Sequence, residues 1–387
     1  IARNARALPA TVRTICGVTN IGPLTPTSLE FSRPIGANRP MTKGSLMAAR
    51  MDAQGLDQPL RDEADYPALF RRLQPVSPIA MTYPGNPPAL VKRTLFDSAE
   101  ASDDLRADRM VAKARFLDGT VGYVLTRDLG DYAIVFRKQP TRLNAVESEV
   151  LAAVRELGPI TPRLLKEETG ILAKKVGPGL AKLQRAFLVF EDQTETNWER
   201  GWSTFSSAFP DLDLDSMDQE AAAFRVLGRF FESMSFATFQ QVRDWSGLSL
   251  KDLKAWVAAL ETTGRITAAS VEGLGEGWIR SEFRVARTKP RKSVHMLHLQ
   301  DGLVRAHRTE LKERFSGREI LQFLLVDGAF RGAVCGHWRI GPHDVEDIVL
   351  DLPAKERGDR KREILAEVAS TYRGERHRIL NYDGTAV

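Results

Sequence analysis

The sequence predicts an α+β chain in which tandem winged helix-turn-helix units are followed by a β-rich carboxy-terminal domain. Three observations lead there: an internal repeat, the order of elements within each copy, and a late series of strand-like runs. Residues Glu147 through Val189 align with Phe224 through Ile266 at a constant offset of 77 residues and no gap. Thr161 falls on Thr238 and Gly170 on Gly247, and the apolar positions follow, with Val150 on Leu227, Leu165 on Val242, Leu180 on Val257 and Leu183 on Leu260. Such a match reads as two copies of one supersecondary plan.

Residues 1–40 contain no acid before Glu30, carry Arg3, Arg6, Arg13, Arg33 and Arg39, and show neither helical nor strand periodicity. This composition is that of a disordered leader, of a transit peptide, or of sequence upstream of a start at Met41 or Met47, and it is set apart from the fold. A diverged first unit is expected over residues 45–140. Within it Arg109–Phe116 leads through Leu117-Asp118-Gly119 to Val121–Leu125, a hairpin signal, and Tyr132–Phe136 extends the same small sheet.

The second unit, 144–206, opens with an amphipathic helix carrying Val146, Val150, Leu151, Val154 and Leu157 at helical spacing. Gly158-Pro159 breaks it, Thr161 caps a short second helix with Pro162 at its first position, and Gly170 stops that one. A third helix over 172–185 buries Val176, Leu180 and Leu183, and Gly177-Pro178-Gly179 predicts a kink or a fresh start at Pro178. Phe187–Phe190 and Trp202–Phe205 complete the wing. The third unit, 218–285, repeats the order with helices over 222–232, 238–245 and 249–263 and a wing containing Glu272-Gly273 and Glu276-Gly277. The last domain, 293–387, is β-rich through 294–299, 321–326 and 332–340 and closes with a helix over 359–372.

The charge is unevenly placed. Fifty-five Lys and Arg against 50 Asp and Glu give +5, which permits a polyanionic partner. From Glu191 to Glu220 nine acids face one base, a solvated wing and linker, whereas from Arg280 to Arg318 eleven bases face four acids. The densest basic stretch, Arg287, Lys289, Arg291 and Lys292, is suited to phosphate; a solvated loop between domains is the alternative. Third helices of winged units enter the major groove, so Lys174, Lys175, Lys182 and Arg185 are the expected DNA contacts in the middle unit. No run of about 18 apolar residues exists to span a membrane. Cys16 and Cys335 are too few for a disulfide framework or a zinc site, so a reducing, cytoplasmic setting is expected.

Ala53-Gln54-Gly55-Leu56, the repeated winged units, and Leu325-Val326-Asp327-Gly328 with Gly332 and Gly336-His337-Trp338-Arg339 resemble the winged-helix DNA glycosylases that repair alkylated and cross-linked bases, over about residues 45 to 352. The resemblance implies binding of duplex DNA and hydrolysis of the N-glycosidic bond of an N7-alkylated purine. Such a purine is already cationic, so a Gln or carboxylate that orients water suffices. Active members of that family share Gln-x-Gln or Gln-x-Asp in the first unit. This chain departs from the motif: in Leu73-Gln74-Pro75-Val76-Ser77-Pro78-Ile79 a gap-free alignment puts Ser77 and Ile79 at the polar positions, and a shifted register pairs Gln74 with Val76. Gln74 is the candidate in this segment, with a surface turn residue beside Pro75 as the other reading.

All six histidines follow residue 294. His295 and His298 are three apart, a poor ligand pair in a strand. The stretch His337 to Asp347 gathers His343 and Asp344 as acid-base candidates and is the ground for a metal-dependent alternative; helix capping or solvation of its carboxylates is the other reading. Pro84–Pro88 lacks a phosphate-loop pattern, so no nucleotide cofactor is expected, and no metal is assigned. The leading expectation is a DNA-binding repair protein with glycosylase chemistry; the alternative is a non-catalytic regulator or scaffold.

Overall fold

Caps written into the sequence set most helix ends. The computed structural model describes residues 41–78, 89–192, 200–284, 287–337, 344–372 and 377–387. The first region contains α1 (Lys43–Ala53), α2 (Tyr66–Leu73), α3 (Ser98–Ala107), the hairpin β1 (Val111–Arg115) and β2 (Val121–Leu125), and α4 (Leu129–Phe136). Thr42 and Ser45 form a capping box on α1, and Asp97 caps α3.

The expected strand at Tyr132–Phe136 is instead the second half of α4. Seven of its eight residues are buried, all but Asp131, so this helix is apolar on every side and has the composition of a buried strand. The hairpin is therefore a two-stranded sheet, with Lys113 opposite Tyr123.

The repeat folds as two similar series. The first runs α5 (Ala145–Leu157), α6 (Pro162–Thr169), α7 (Ala173–Arg185), β3 (Val189–Glu191), β4 (Trp202–Thr204) and the short α8 (Phe205–Ala208). Asn144 caps α5 in a capping box, and Thr161 caps α6. Helix α7 runs through Pro178 and does not start afresh there, the second of the two expected alternatives. Gly177 and Gly179 flank the proline without side chains, and the carbonyl that loses its partner belongs to Lys174 on the exposed face.

The second series is α9 (Gln219–Met234), β5 (Phe236–Ala237), α10 (Phe239–Ser246), α11 (Leu250–Thr262), β6 (Ile266–Val271) and β7 (Gly275–Arg280), with the sheet order β5-β7-β6. Thr238 and Gln241 form a capping box on α10. Gly170 and Gly247, one repeat apart, both end their helices in the left-handed region that favours glycine.

The carboxy-terminal region comprises β8 (Val294–His298), α12 (Gly302–Ala306), α13 (Arg308–Arg314), β9 (Ile320–Val326), β10 (Ala329–Cys335), β11 (Asp347–Leu350), α14 (Ala354–Thr371), β12 (Asn381–Tyr382) and β13 (Thr385–Ala386). Its six-stranded sheet has the order β13-β12-β11-β10-β9-β8, antiparallel except where β11 meets β12. Helices α12 and α13, absent from the sequence expectation, bring Leu303, Val304, Leu311 and Phe315 into the main core. That core joins Phe116, Tyr132 and Phe136 of the first region to Leu227, Phe230 and Trp245 of the second series. Helix α9 lies at its centre, against α1, α2, α4 and α11. The described residues from Met41 onward form one compact unit, so residues far apart in sequence meet around α9. No described helix is long and apolar enough to cross a membrane.

Candidate active-site pocket

Gln74 follows α2 directly and takes an extended conformation ahead of Pro75, which cannot continue the helix. The next residue, Val76, pairs with Tyr123 through two backbone hydrogen bonds of 2.8 Å, and this lays the segment along β2. Gln74 is consequently buried, 2% exposed, which overturns the reading of a surface turn residue. Its Oε1 accepts from the Leu125 amide at 2.8 Å and its Nε2 donates to Asp128 at 2.9 Å, so both ends of the carboxamide have an assigned direction. The Tyr132 hydroxyl donates to the Gln74 carbonyl at 3.2 Å.

Asp128 is the anchor of this arrangement. It also accepts from Arg71 at 2.9 and 3.1 Å and from Arg229 at 2.8 Å. Burial alone would raise its pKa; the hydrogen bonds from Arg71 and Gln74 and the charge of Arg229 outweigh that and hold the carboxyl below the usual range. Asp128 is thus a carboxylate at neutral pH.

Gln74 lines a pocket of about 130 Å³ walled by Phe230, Trp245, Met296, His298 and Gln322 among others. Phe230 and Trp245 lie against each other, with ring centroids 4.6 Å apart. Arg93, also in the lining, is clamped to Asp301 at 2.8 and 3.2 Å and to Gln54 through Nε and a terminal nitrogen at 2.9 and 3.0 Å. Asp301 additionally caps α12. Its oxygens are engaged by the Arg93 guanidinium and the Leu303 amide. His298 Nδ1 accepts from the Gln300 amide at 3.1 Å, which assigns its hydrogen to Nε2, and burial lowers its pKa, so it lines the pocket as a neutral imidazole. The result is a pocket with an aromatic wall, a fixed carboxamide and a neutral imidazole.

Other sequence candidates lie apart from the pocket. Asp344 is bound by Arg378 at 2.7 and 3.1 Å and accepts the Arg378 amide, and Arg378 lowers its pKa. It does not line the pocket. His337 sits between Glu319 at 2.8 Å and Glu346 at 2.9 Å. Among the described residues no group of three or more His, Cys, Asp or Glu is arranged to hold a metal. His343, Ile79, Trp338, Arg339, Pro84–Pro88 and residues 1–40 lie outside the described residues.

The expected DNA contacts divide in two. Lys182 is paired with Glu147 at 2.6 Å and Arg185 with Asp118 at 3.6 Å. Arg287 joins Asp52 and the buried Asp57, and Arg291 reaches Asp57 at 3.4 Å, so much of the basic run serves as a strap onto the first region. Lys174, Lys175, Lys289 and Lys292 are exposed.

Sequence reasoning missed Asp128, Arg71, Arg229, Phe230, Trp245 and the Arg93–Asp301 pair. Reading 129–136 as a helix start would have drawn attention to Asp128 and Asp131, since acids gather there. The other groups come from separate elements, and nothing local marks them.

A buried carboxamide and an aromatic wall, assembled from the first region, α9, α10 and β8, suit a flat ligand with polar edges. The model of the AlkZ-like family, described as DNA glycosylase AlkZ-like, matches residues 89–370, and the chain belongs to that family. Among solved structures, Streptomyces sahachiroi DNA glycosylase AlkZ has the same fold at 17% identity and a TM-score of 0.62, covering 88% of this chain and 99% of that one. No curated protein sequence matches the chain.

Proposed function

We propose that the chain is a DNA-repair glycosylase that grips duplex DNA through winged helix-turn-helix units and hydrolyses the N-glycosidic bond of alkylated or cross-linked purines in the pocket beside Gln74. The observation that carries this reading is the doubly anchored carboxamide of Gln74 in a pocket walled by Phe230 and Trp245. A cationic purine stacks on such a wall. The bond from C1′ to the ring nitrogen breaks with both electrons moving to the base, which leaves as a neutral molecule. Water then adds to the oxocarbenium carbon and releases its proton to solvent. The second lone pair of Gln74 Oε1 orients that water, and His298 Nε2–H donates to an acceptor on the departing base. Lys174 and Lys175 of α7, with Lys289 and Lys292, are the phosphate contacts in this reading; Lys182 and Arg185 would first exchange their carboxylate partners. The setting is cytoplasmic.

A second reading, DNA binding without base release by a regulator or scaffold, is favoured by Val76. This residue stands two places after Gln74, is 4% exposed and packs in the core of the first region, so it supplies no second polar group. Base release from duplex DNA containing N7-methylguanine separates the two. Release by the wild type, its loss by about 100-fold in Gln74→Ala, and full retention in Asp344→Ala are expected. Salt-sensitive binding of DNA without any release by the wild type would establish the second reading instead.

A further inference from the structure

Arg50 on α1 is buried, 6% exposed, yet no carboxylate lies within ion-pair distance of it among the described residues. Its Nε donates to the Met234 carbonyl at 3.1 Å and one terminal nitrogen to the Phe236 carbonyl at 2.9 Å; the other lies 3.3 Å from His307 Nε2. One hydrogen on each terminal nitrogen is left without an acceptor among the described residues. His307 brings no negative charge. Its Nδ1 donates to the Leu303 carbonyl at 2.9 Å, and burial together with the Arg50 charge holds its pKa at about 3, so it is a neutral acceptor toward Arg50. A buried guanidinium without a counter-ion is unfavourable unless something else supplies the charge.

Arg50 and His307 line a polar cleft of about 380 Å³ between α1, α10, α13, the β6–β7 turn and the β9–β10 turn. Lys43, Arg314 and Arg331 stand on its walls with Arg50, against Asp244 and Glu310. Both acids are engaged: Glu310 pairs with Arg314, and Asp244 accepts from the Thr309 amide and hydroxyl and from Gln240. Outside the lining, Asp351 reaches Arg314 and Arg331 only at 3.8 and 3.9 Å. The charge of Glu310 acts on Arg50 from beyond ion-pair distance, so the cleft has a net positive lining and a buried arginine with no direct ion pair among the described residues.

We propose that this cleft binds a phosphate-type anion, with the terminal nitrogens of Arg50 as its inner donors and Lys43 and Arg331 as its rim. The site is separate from the pocket at Gln74 and does not depend on the glycosylase reading. A backbone phosphate of DNA and a free phosphate group present the same oxyanion, and the test distinguishes them.

Calorimetric titration of the full chain with inorganic phosphate is the experiment, with the imidazole nitrogen resonances of His307 followed in parallel. Wild type is expected to take up one phosphate with a shift of the His307 signals, and Lys43→Glu/Arg331→Glu to weaken binding by about tenfold or more. Both substituted side chains are on the rim, and an acid in the first turn of α1 suits that helix end, so the double variant keeps its fold. Thermal unfolding of the double variant checks this. Absence of saturable uptake, unchanged affinity in the folded double variant, or uptake without a His307 response would each overturn the proposal. Undamaged duplex DNA that displaces phosphate identifies a backbone phosphate as the natural occupant; duplex and phosphate bound together identify a free anion. Both of these outcomes uphold the site.

Discussion

Replacing Asp128 by Asn tests whether the buried carboxylate holds Gln74 and the two arginines by charge. The side chain accepts four hydrogen bonds, two from Arg71 and one each from Gln74 and Arg229. Asn is isosteric but keeps only one acceptor oxygen. With its nitrogen toward Arg71 Nε and Gln74 those two donors are opposed; in the other orientation it opposes Arg71 and Arg229. Each lost hydrogen bond to a charged group is worth about 1.5–3 kcal/mol. Arg71 is 44% exposed and recovers water, so its share is discounted, whereas Arg229 is 14% exposed and Gln74 is buried. The expected loss is therefore about 3 kcal/mol, toward the low end for removing one member of a buried ion pair. With an m-value of about 3 kcal/mol/M, the urea midpoint followed by circular dichroism falls by about 1 M at pH 7. A fall under about 0.3 M at unchanged m would show that the Asp128 charge does not hold these donors. The pH dependence has a definite sign. The folded-state pKa of Asp128 is lowered, so its contribution is present above the unfolded carboxylate pKa and is lost as pH falls through the folded value. The gap between wild type and variant stays constant above about pH 5 and closes below about pH 4.

Gly170 and Gly247 offer a matched pair one repeat apart: both have positive φ, but a Cβ on Gly170 meets nothing within 4 Å, whereas one on Gly247 comes within 2.6 Å of Asp118 Cβ. Gly170→Ala is expected to cost about 1 kcal/mol for the left-handed backbone alone, and Gly247→Ala about 3 kcal/mol with the added crowding, measured by urea unfolding. Burial first, then Arg93 and Lys92, lower the His295 pKa to about 4, and its Nε2 is buried without a hydrogen-bond partner. Its contribution is present above the unfolded pKa of about 6.5 and is lost as pH falls toward the folded value, by up to about 1.4 kcal/mol per pH unit. His295→Leu should therefore hold stability at pH 7 and exceed the wild type at pH 5; equal losses in both proteins would exclude this assignment. Lys182 lowers the Glu147 pKa through a 2.6 Å contact, so Lys182→Ala should move the Glu147 carboxyl upward in a carbon-detected NMR titration.

The parts of the fold legible in the sequence are those whose signals are short-range. Thr161 and Thr238 cap helices three residues before the amide each binds, and Gly170 and Gly247 end them, so α6, α10 and the repeat itself could be read directly. Tyr132–Phe136 could not: an apolar, partly β-branched run is the same whether it makes a central strand or a helix enclosed by α9 and the hairpin. The commitments of the charged residues were hidden for a related reason. Net charge counts Arg287 as free cation, but its partner Asp57 lies 230 residues earlier and is visible only once α1 and the late basic run meet. Gln74 was found through the resemblance, while its meaning depended on Asp128, 54 residues on, and on Trp245 and His298 further still. The repeat makes the distinction sharpest. Its two glycines carry one backbone signal, but the second lies against Asp118 in the first region and the first faces solvent. Local sequence therefore specified the shape of each copy, whereas the surfaces each copy commits to its neighbours were decided by contacts that only the folded chain creates.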